Sequence, residues 1–248
     1  RYPVGSRNFV DGVAGDFGVR FALEFDKPPQ NCVDANNGYV REFGSDVECL
    51  EMRLAGSFIS TEQAGATLDQ ELTGQSLEVA AAEGERIWND LLGRVTYTPR
   101  NEEQGRLFYS CLYRCLLFPR FMQEQTPDGR VVHYSPYDGG THEGILCADT
   151  GFWDTYRTLF PLLALYYPET LRRMLDGWLS ACREAGWSPK WPSPGPRDCM
   201  IGTHYNVIVA DAVAHGIVDW NVEEAFAYLW KDATVPSDDP RYGRAGLE

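Results

Sequence analysis

Apolar and polar positions change period along this chain, and the change divides it. Up to about residue 65 the alternation is that of strands. Val19, Phe21, Leu23 and Phe25 interleave with Arg20, Ala22, Glu24 and Asp26, and Leu50, Met52 and Leu54 interleave with Glu51 and Arg53. Successive strand side chains point to opposite faces, so a period of two predicts antiparallel strands with one face buried. Pro28-Pro29 and Asn36-Asn37-Gly38 supply the turns. Beyond residue 65 the period becomes helical. Residues 75–92, rich in Ala, Glu and Leu, predict a long connecting helix stopped by Gly93. Leu107, Phe108, Cys111, Leu112, Cys115 and Leu116 form the stripe of a half-buried helix that Pro119 ends.

Three further stripes follow and then a cap. Phe152, Tyr156, Leu159 and Leu163 recur at helical spacing, although Pro161 should kink or end that helix. Leu171, Leu175, Trp178, Leu179 and Cys182 lie on a helix opened by Pro168 and closed before Gly186. Residues 207–215 stop at Gly216, and Asn221 with Glu224 resembles a capping box for a last helix running to about Lys231. Helices separated by loops rich in aromatics, Gly and Pro predict helical hairpins around a centre. The unusual residues sit in the loops, as expected where a rigid scaffold presents function.

Composition narrows the function classes. At 248 residues the chain can bury a sizeable core. A formal charge of −14 without any basic run argues against nucleic acid and suits a neutral substrate such as a glycan. The longest greasy segment, residues 159–167, is too short to cross a bilayer, so no membrane partner is expected. The chain opens Arg1-Tyr-Pro-Val-Gly, in mid-pattern and without a signal core, and is read as an internal segment of a longer polypeptide. Its seven cysteines are scattered and lack the paired spacing of a zinc site. They are read as buried small hydrophobes, with at most one disulfide among them.

The candidate chemistry begins at Gly151-Phe-Trp-Asp-Thr-Tyr-Arg157. Indoles pack on the faces of sugar rings and carboxylates accept hydroxyl hydrogen bonds, so Trp153 and Asp154 suit a sugar. The competing reading is a surface ion pair between Asp154 and Arg157, which are i, i+3 neighbours. The segment His133-Tyr-Ser-Pro-Tyr-Asp-Gly-Gly-Thr-His142-Glu143-Gly144 is too polar and Gly-rich for core, and reads as a structured loop near the site, the competing reading being direct contact with the ligand. Residues 186–198 hold four prolines and two tryptophans, a stiff connector that either pre-places its side chains or merely packs its indoles. His204 reads as a hydrogen-bonded structural residue. Glycosidase chemistry needs two carboxyl groups, and from residues alone Glu143, Asp149 and Asp154 are the candidates. There is no Gly-x-Ser-x-Gly elbow, P-loop or dinucleotide fingerprint.

Several of these segments, in order, resemble the family 92 glycoside hydrolases, which are calcium-dependent exo-α-mannosidases. They are Phe21-Ala-Leu-Glu-Phe25, Ser57-Phe-Ile-Ser-Thr-Glu-Gln63-Ala, Phe108–Pro119, His133–Gly139, Gly151–Arg157, Gly186–Pro192 and Asp198–His204. The resemblance implies an N-terminal β-sandwich joined to an (α/α)6 barrel, an all-α toroid, both only partly covered by this chain. Residues 1–65 would end the sandwich, 66–100 form a linker helix region, and 101–248 begin the barrel. It further implies an inverting mechanism and a Ca2+ ion that touches the O2 and O3 hydroxyls of the terminal mannose. Asp154 would hydrogen-bond that mannose, with Trp153 nearby and Arg197 assisting. The family's acid, a Glu, its base, an Asp, and most calcium ligands are expected beyond residue 248, so Glu143 and Asp149 lose their claim as the catalytic pair. The implied substrates are mannose-containing oligosaccharides or glycoproteins, with α-1,2-linked mannose of high-mannose N-glycans foremost. That substrate places the protein outside the cell or in the periplasm. An incomplete barrel would expose apolar faces and be unstable alone. The alternatives are another (α/α)6 glycosidase, such as a glucoamylase-like enzyme, and a non-catalytic carbohydrate-binding protein.

Overall fold

The computed structural model describes residues 2–4, 17–35, 38–199 and 201–242. The turn expected at Asn36-Asn37 and Met200 of the Asp198–His204 motif lie outside them. The described residues group into two compact units, one of residues 2–4 and 18–83, the other of residues 17 and 84–242.

In the first unit, strands β1 (Tyr2–Val4), β2 (Arg20–Phe25) and β5 (Met52–Ser57) form an antiparallel sheet in the order β1-β2-β5. Strands β3 (Asn31–Ala35) and β4 (Gly38–Glu42) pair as a separate hairpin. Helix α1 (Thr61–Leu72) starts four residues before the expected change of period, where the Ser60 hydroxyl accepts from the Gln63 amide and caps it. Its Ala64 and Leu68 bury against Ala22 and Ala55, which are cross-strand partners. This reverses the face expected from the alternation: the large residues do not point into this core. Met52 and Leu54 are exposed, and Phe21, Leu23 and Phe25 are half-buried. The small side chains of Ala22 and Ala55 allow a helix to lie close on the sheet, which bulky ones would prevent.

Helix α2 (Leu77–Leu92) ends one residue before Gly93, as its composition predicts, and none of its residues is buried. Helix α3 (Glu102–Cys115) is capped by Asn101, whose side chain accepts from the Gln104 amide. Of the stripe expected on α3 only Leu112 is fully buried, and Leu107 and Cys111 are exposed. The cysteine expectation is corrected accordingly. All seven thiols are free and only Cys147 and Cys182 are buried.

The second unit is organised on α6 (Pro168–Ala185), which begins at its proline and ends at Gly186 with φ 73°, a left-handed cap. The stripe expected from residue 152 to 163 breaks into α4 (Phe152–Thr155) and α5 (Leu159–Tyr166). Pro161 falls in the first turn of α5, where its missing N–H has no helical acceptor to lose. Helices α7 (Tyr205–Ala214) and α8 (Val222–Thr234) follow, the latter capped by Asn221 accepting from the Glu224 amide. Trp178 of α6 is the hub of the core. It meets Phe152, Phe160 and Tyr205 edge-on at centroid distances of 5.0, 5.3 and 6.0 Å, which ties α4, α5 and α7 to α6. Each such pair contributes about 0.5–1.5 kcal/mol beyond its burial.

Short strands complete this unit: β6 (Arg120–Phe121) pairs with β10 (Cys147–Ala148), and β7 (Glu124–Gln125), β8 (Val131–Tyr134) and β9 (Thr141–Glu143) form a small sheet. Gly177 lets α6 reach β10, because a Cβ there would lie 2.7 Å from Cys147 Sγ and 2.9 Å from its amide nitrogen. Since β10 leads directly into residues 149–151, this contact sets where α4 begins. No helix among the described residues is long and apolar enough to cross a membrane.

Candidate functional site

Gly151 is the centre of the site. It is the residue before α4, and its bare Cα faces the six-membered ring of Trp191: an added Cβ would lie 2.4 Å from Trp191 Cζ3 and Cη2. The same Cβ would lie 3.1 Å from Asp154 Oδ2, so the indole edge and the carboxylate meet over one glycine. Trp191 was noted in the sequence only as one of two indoles on a proline-rich connector. The signal that it belongs with Asp154 is the absence of a side chain at position 151.

The ion pair that Asp154 and Arg157 could have formed does not exist among the described residues. The Arg157 guanidinium lies over the rings of Trp153 and Tyr156, 5.5 and 4.6 Å from their centroids, and its Nε donates to the Tyr156 hydroxyl at 2.8 Å. Asp154 is exposed and has no hydrogen-bond or ionic partner among the described residues. Trp153 beside it is 37% exposed, a large indole left at the surface next to a free acceptor. On its far side Tyr156 stacks on His204 at 4.5 Å. His204 is therefore held by stacking rather than by the hydrogen bond expected of it, and its Nε2 is buried without a partner. Burial and the neighbouring Arg157 charge draw its pKa below the ordinary histidine value.

The proline-rich segment folds back on itself. Ser193 N donates to Gly195 O, Arg197 N to Trp191 O, and Arg197 Nε to Ser193 O, at 2.8, 3.2 and 2.9 Å. Arg197 thus braces the loop that carries Trp191. At the loop's start, Lys231 of α8 donates to Gly186 O at 2.8 Å and lies 4.0 Å over the Trp187 ring. The loop joins the entry to α4 through Pro192 O, which accepts from the amides of Asp149 and Thr150. Trp153, Asp154, Trp191 and Arg197 are thereby brought into one neighbourhood.

The other carboxylate candidates lie elsewhere in the hydrogen-bond network. Glu143 is exposed on β9 and pairs with Arg130 at 3.5 Å. Asp149 is engaged by Arg120 and by the Ser193 hydroxyl. The 133–144 segment, expected as a polar loop outside the core, is a hairpin whose first arm is buried from His133 to Pro136. Its histidine is satisfied by a remote carboxylate and by a carbonyl across the hairpin, which is what allows the burial of its ring. His133 Nδ1 donates to Gly144 O at 2.9 Å and its Nε2 faces Glu184 Oε1 at 2.7 Å, with side-chain exposures of 0% and 6%. Burial pulls the His133 pKa down, but the bonds to Glu184 and Gly144 and the charges of Glu184 and Asp138 outweigh it and hold it above the usual value. Sequence reasoning did not single out Glu184, because nothing in its local sequence marks a partner 51 residues away.

Among the described residues no three His, Cys, Asp or Glu side chains gather as a metal site. What the arrangement can do is offer indole surface beside a free carboxylate that accepts hydrogen bonds from a sugar's hydroxyls.

Residues 63–248 match the profile of the glycosyl hydrolase family 92 catalytic domain. A family 92 inverting mannosidase from Bacteroides thetaiotaomicron superposes with a TM-score of 0.90 at 34% identity, over 97% of this chain and 35% of that one. A family 92 alpha-mannosidase from the same organism gives 0.79 at 21% identity, over 90% and 33%. That alpha-mannosidase in complex with mannoimidazole gives 0.78 at 21%, over 90% and 32%, and at this identity the likeness is one of fold. The chain spans about a third of the length of these structures. No curated protein sequence matches it. The ordered motifs, the profile spanning three-quarters of the chain and the shared fold agree, and the chain belongs to glycosyl hydrolase family 92.

Proposed function

We propose that this chain is part of an exo-acting, inverting α-mannosidase that removes terminal α-linked mannose, α-1,2-linked in high-mannose N-glycans. The observation that carries this reading is the meeting of an unpaired carboxylate, Asp154, with the Trp191 ring edge over Gly151, next in the chain to an exposed indole, Trp153. Asp154 accepts hydroxyl hydrogen bonds of the terminal mannose, Trp153 provides an apolar wall, and Arg197 holds the adjoining loop. A general acid, a Glu, protonates the departing glycosidic oxygen, while an Asp base takes a proton from the water that attacks the anomeric carbon from the opposite face. Both belong, in this reading, to the rest of the polypeptide, as do most ligands of a Ca2+ ion. In this reading residues 1–65 close a β-sandwich, 66–100 link, and 101–248 begin an (α/α)6 barrel, in a protein that acts outside the cell or in the periplasm.

The test is mannose release from α-1,2-mannobiose by the full-length protein, with and without EDTA, and with Asp154→Ala. The expected result is release that EDTA abolishes and that the variant loses by about 10²-fold or more, the range for a lost charged contact to substrate. Mannose binding without release would replace this reading with a non-catalytic carbohydrate-binding protein. Release of glucose in preference to mannose would replace it with a glucoamylase-like enzyme.

A further inference from the structure

Among the described residues Asp149 is the one non-glycine with a positive φ, 62°. This left-handed region favours glycine, and among other residues Asp and Asn enter it most readily. A residue held there needs surrounding bonds that fix it, and Asp149 has them on both its main chain and its side chain. Its turn aims two successive amides, of Asp149 and Thr150, at the single carbonyl of Pro192, at 2.7 and 3.3 Å. The Ser193 hydroxyl donates to Asp149 Oδ1 at 3.1 Å, and the Arg120 guanidinium of β6 covers Oδ2. The carboxylate side chain is only 15% exposed, whereas that of Arg120 is 64% exposed, so the arginine lies over it like a lid. All four bonds end on Asp149 or the residue after it, and three of them grip the two residues that follow Trp191.

We propose that Asp149 is a positioning residue: it latches the 186–198 loop to the start of α4 and so seats the Trp191 indole over Gly151 beside Asp154. The latch itself stands on the hydrogen bonds. Its consequence for sugar affinity rests on the mannose-site reading above. With the latch intact, Trp191 and Asp154 meet a ligand already in place, and none of the binding energy goes into ordering the loop. Without it, Ser193 and Pro192 lose their anchors and the indole leaves Gly151. Glu143 and Asp154, the other two carboxylates considered for chemistry, have no such connection to the loop among the described residues.

The experiment uses the full-length protein with Asp149→Asn, Asp149→Gly and Asp149→Ala, and with Ser193→Ala. Asparagine keeps the left-handed turn and an oxygen for Ser193. Glycine keeps the turn and removes the side-chain bonds, and alanine removes both. Amide hydrogen exchange reads the latch, and KM against kcat for an α-mannoside reads its consequence. In the Gly and Ala variants, exchange in residues 191–197 should rise about tenfold, as expected for losing one or two hydrogen bonds, while exchange in α6 stays at the wild-type rate. KM should rise by a similar factor with kcat within about threefold, because uniform binding is what is lost. Asparagine should restore most of both, and Ser193→Ala should fall between. Wild-type exchange at 191–197 in the glycine variant overturns the latch. Raised exchange with unchanged KM overturns its positioning role, provided Asp154→Ala moves KM or kcat in the same assay. If Asp154→Ala leaves both KM and kcat unmoved, the mannose-site reading fails, and the exchange data alone decide the latch.

Discussion

An alanine at position 151 would place its Cβ 2.4 Å from Trp191 Cζ3 and Cη2 and 3.1 Å from Asp154 Oδ2. Non-bonded carbons rest about 3.5–4.0 Å apart, so the indole edge must retreat by about 1 Å or more. The backbone does not resist the change: Gly151 has φ −103° and ψ 106°, an extended conformation open to alanine. Replacing a glycine helix cap by alanine costs up to about 1 kcal/mol, and the stiffer unfolded chain returns about 0.4–1 kcal/mol. Stability should therefore be nearly unchanged while the site is distorted. A misplacement of about 1 Å in a substrate-positioning group is worth up to about 10²-fold in rate. For the full-length Gly151→Ala protein we expect kcat/KM on an α-mannoside to fall by about 10- to 100-fold, with Tm within about 3 °C of wild type. The assay pairs steady-state kinetics with thermal melting. Kinetics within a factor of two of wild type would refute the shared site of Trp191 and Asp154, since the indole cannot stay where it is. A large drop in Tm would instead show that the Trp191 contact serves folding.

Three further outcomes can be checked by melting and denaturant titration. His133→Ala leaves the enclosed Glu184 carboxylate without its partner and should cost about 3–5 kcal/mol. The His133 pKa is raised in the folded state. Its contribution is therefore fully present below the unfolded histidine value of about 6.5 and lost as pH rises through the higher folded value. Wild-type stability should decline over that window, and His133→Gln should flatten the decline; an unchanged slope would show that the ring does not titrate there. Gly177→Ala gains about 1 kcal/mol of helix propensity, yet its Cβ meets the Cys147 amide nitrogen at 2.9 Å, a backbone atom that cannot turn away. Overpacking of about 1–3 kcal/mol should prevail, and a stabilised variant would mean that β10 and α6 can separate freely.

Much of the second unit's framework was legible because its signals are local. Pro168 and Gly186 bound α6, and Asn221 with Glu224 starts α8, because a cap acts on amides and carbonyls within one turn of itself. The same locality explains where the reading went astray. The alternation at Phe21–Phe25 showed that two faces exist, but not that α1 would choose the face of Ala22 and Ala55. The stripe on α3 told which residues share a side, while Cys111 stays exposed because burial depends on what packs there. A polar segment such as residues 133–136 looks unfit for a core until a remote Glu184 satisfies its histidine.

The sequence by itself determined the change of period, the limits of α6, the start of α8, the family motifs and the pairing of Trp153 with Asp154 on one turn, since each depends on neighbours within a few residues. Only the tertiary structure decided that Trp191 rests on Gly151, that Asp149 binds Ser193 across 44 residues, and that His133 meets Glu184. Those contacts join segments whose closure cost is repaid by the whole core around Trp178, so no local pattern along the chain announces them.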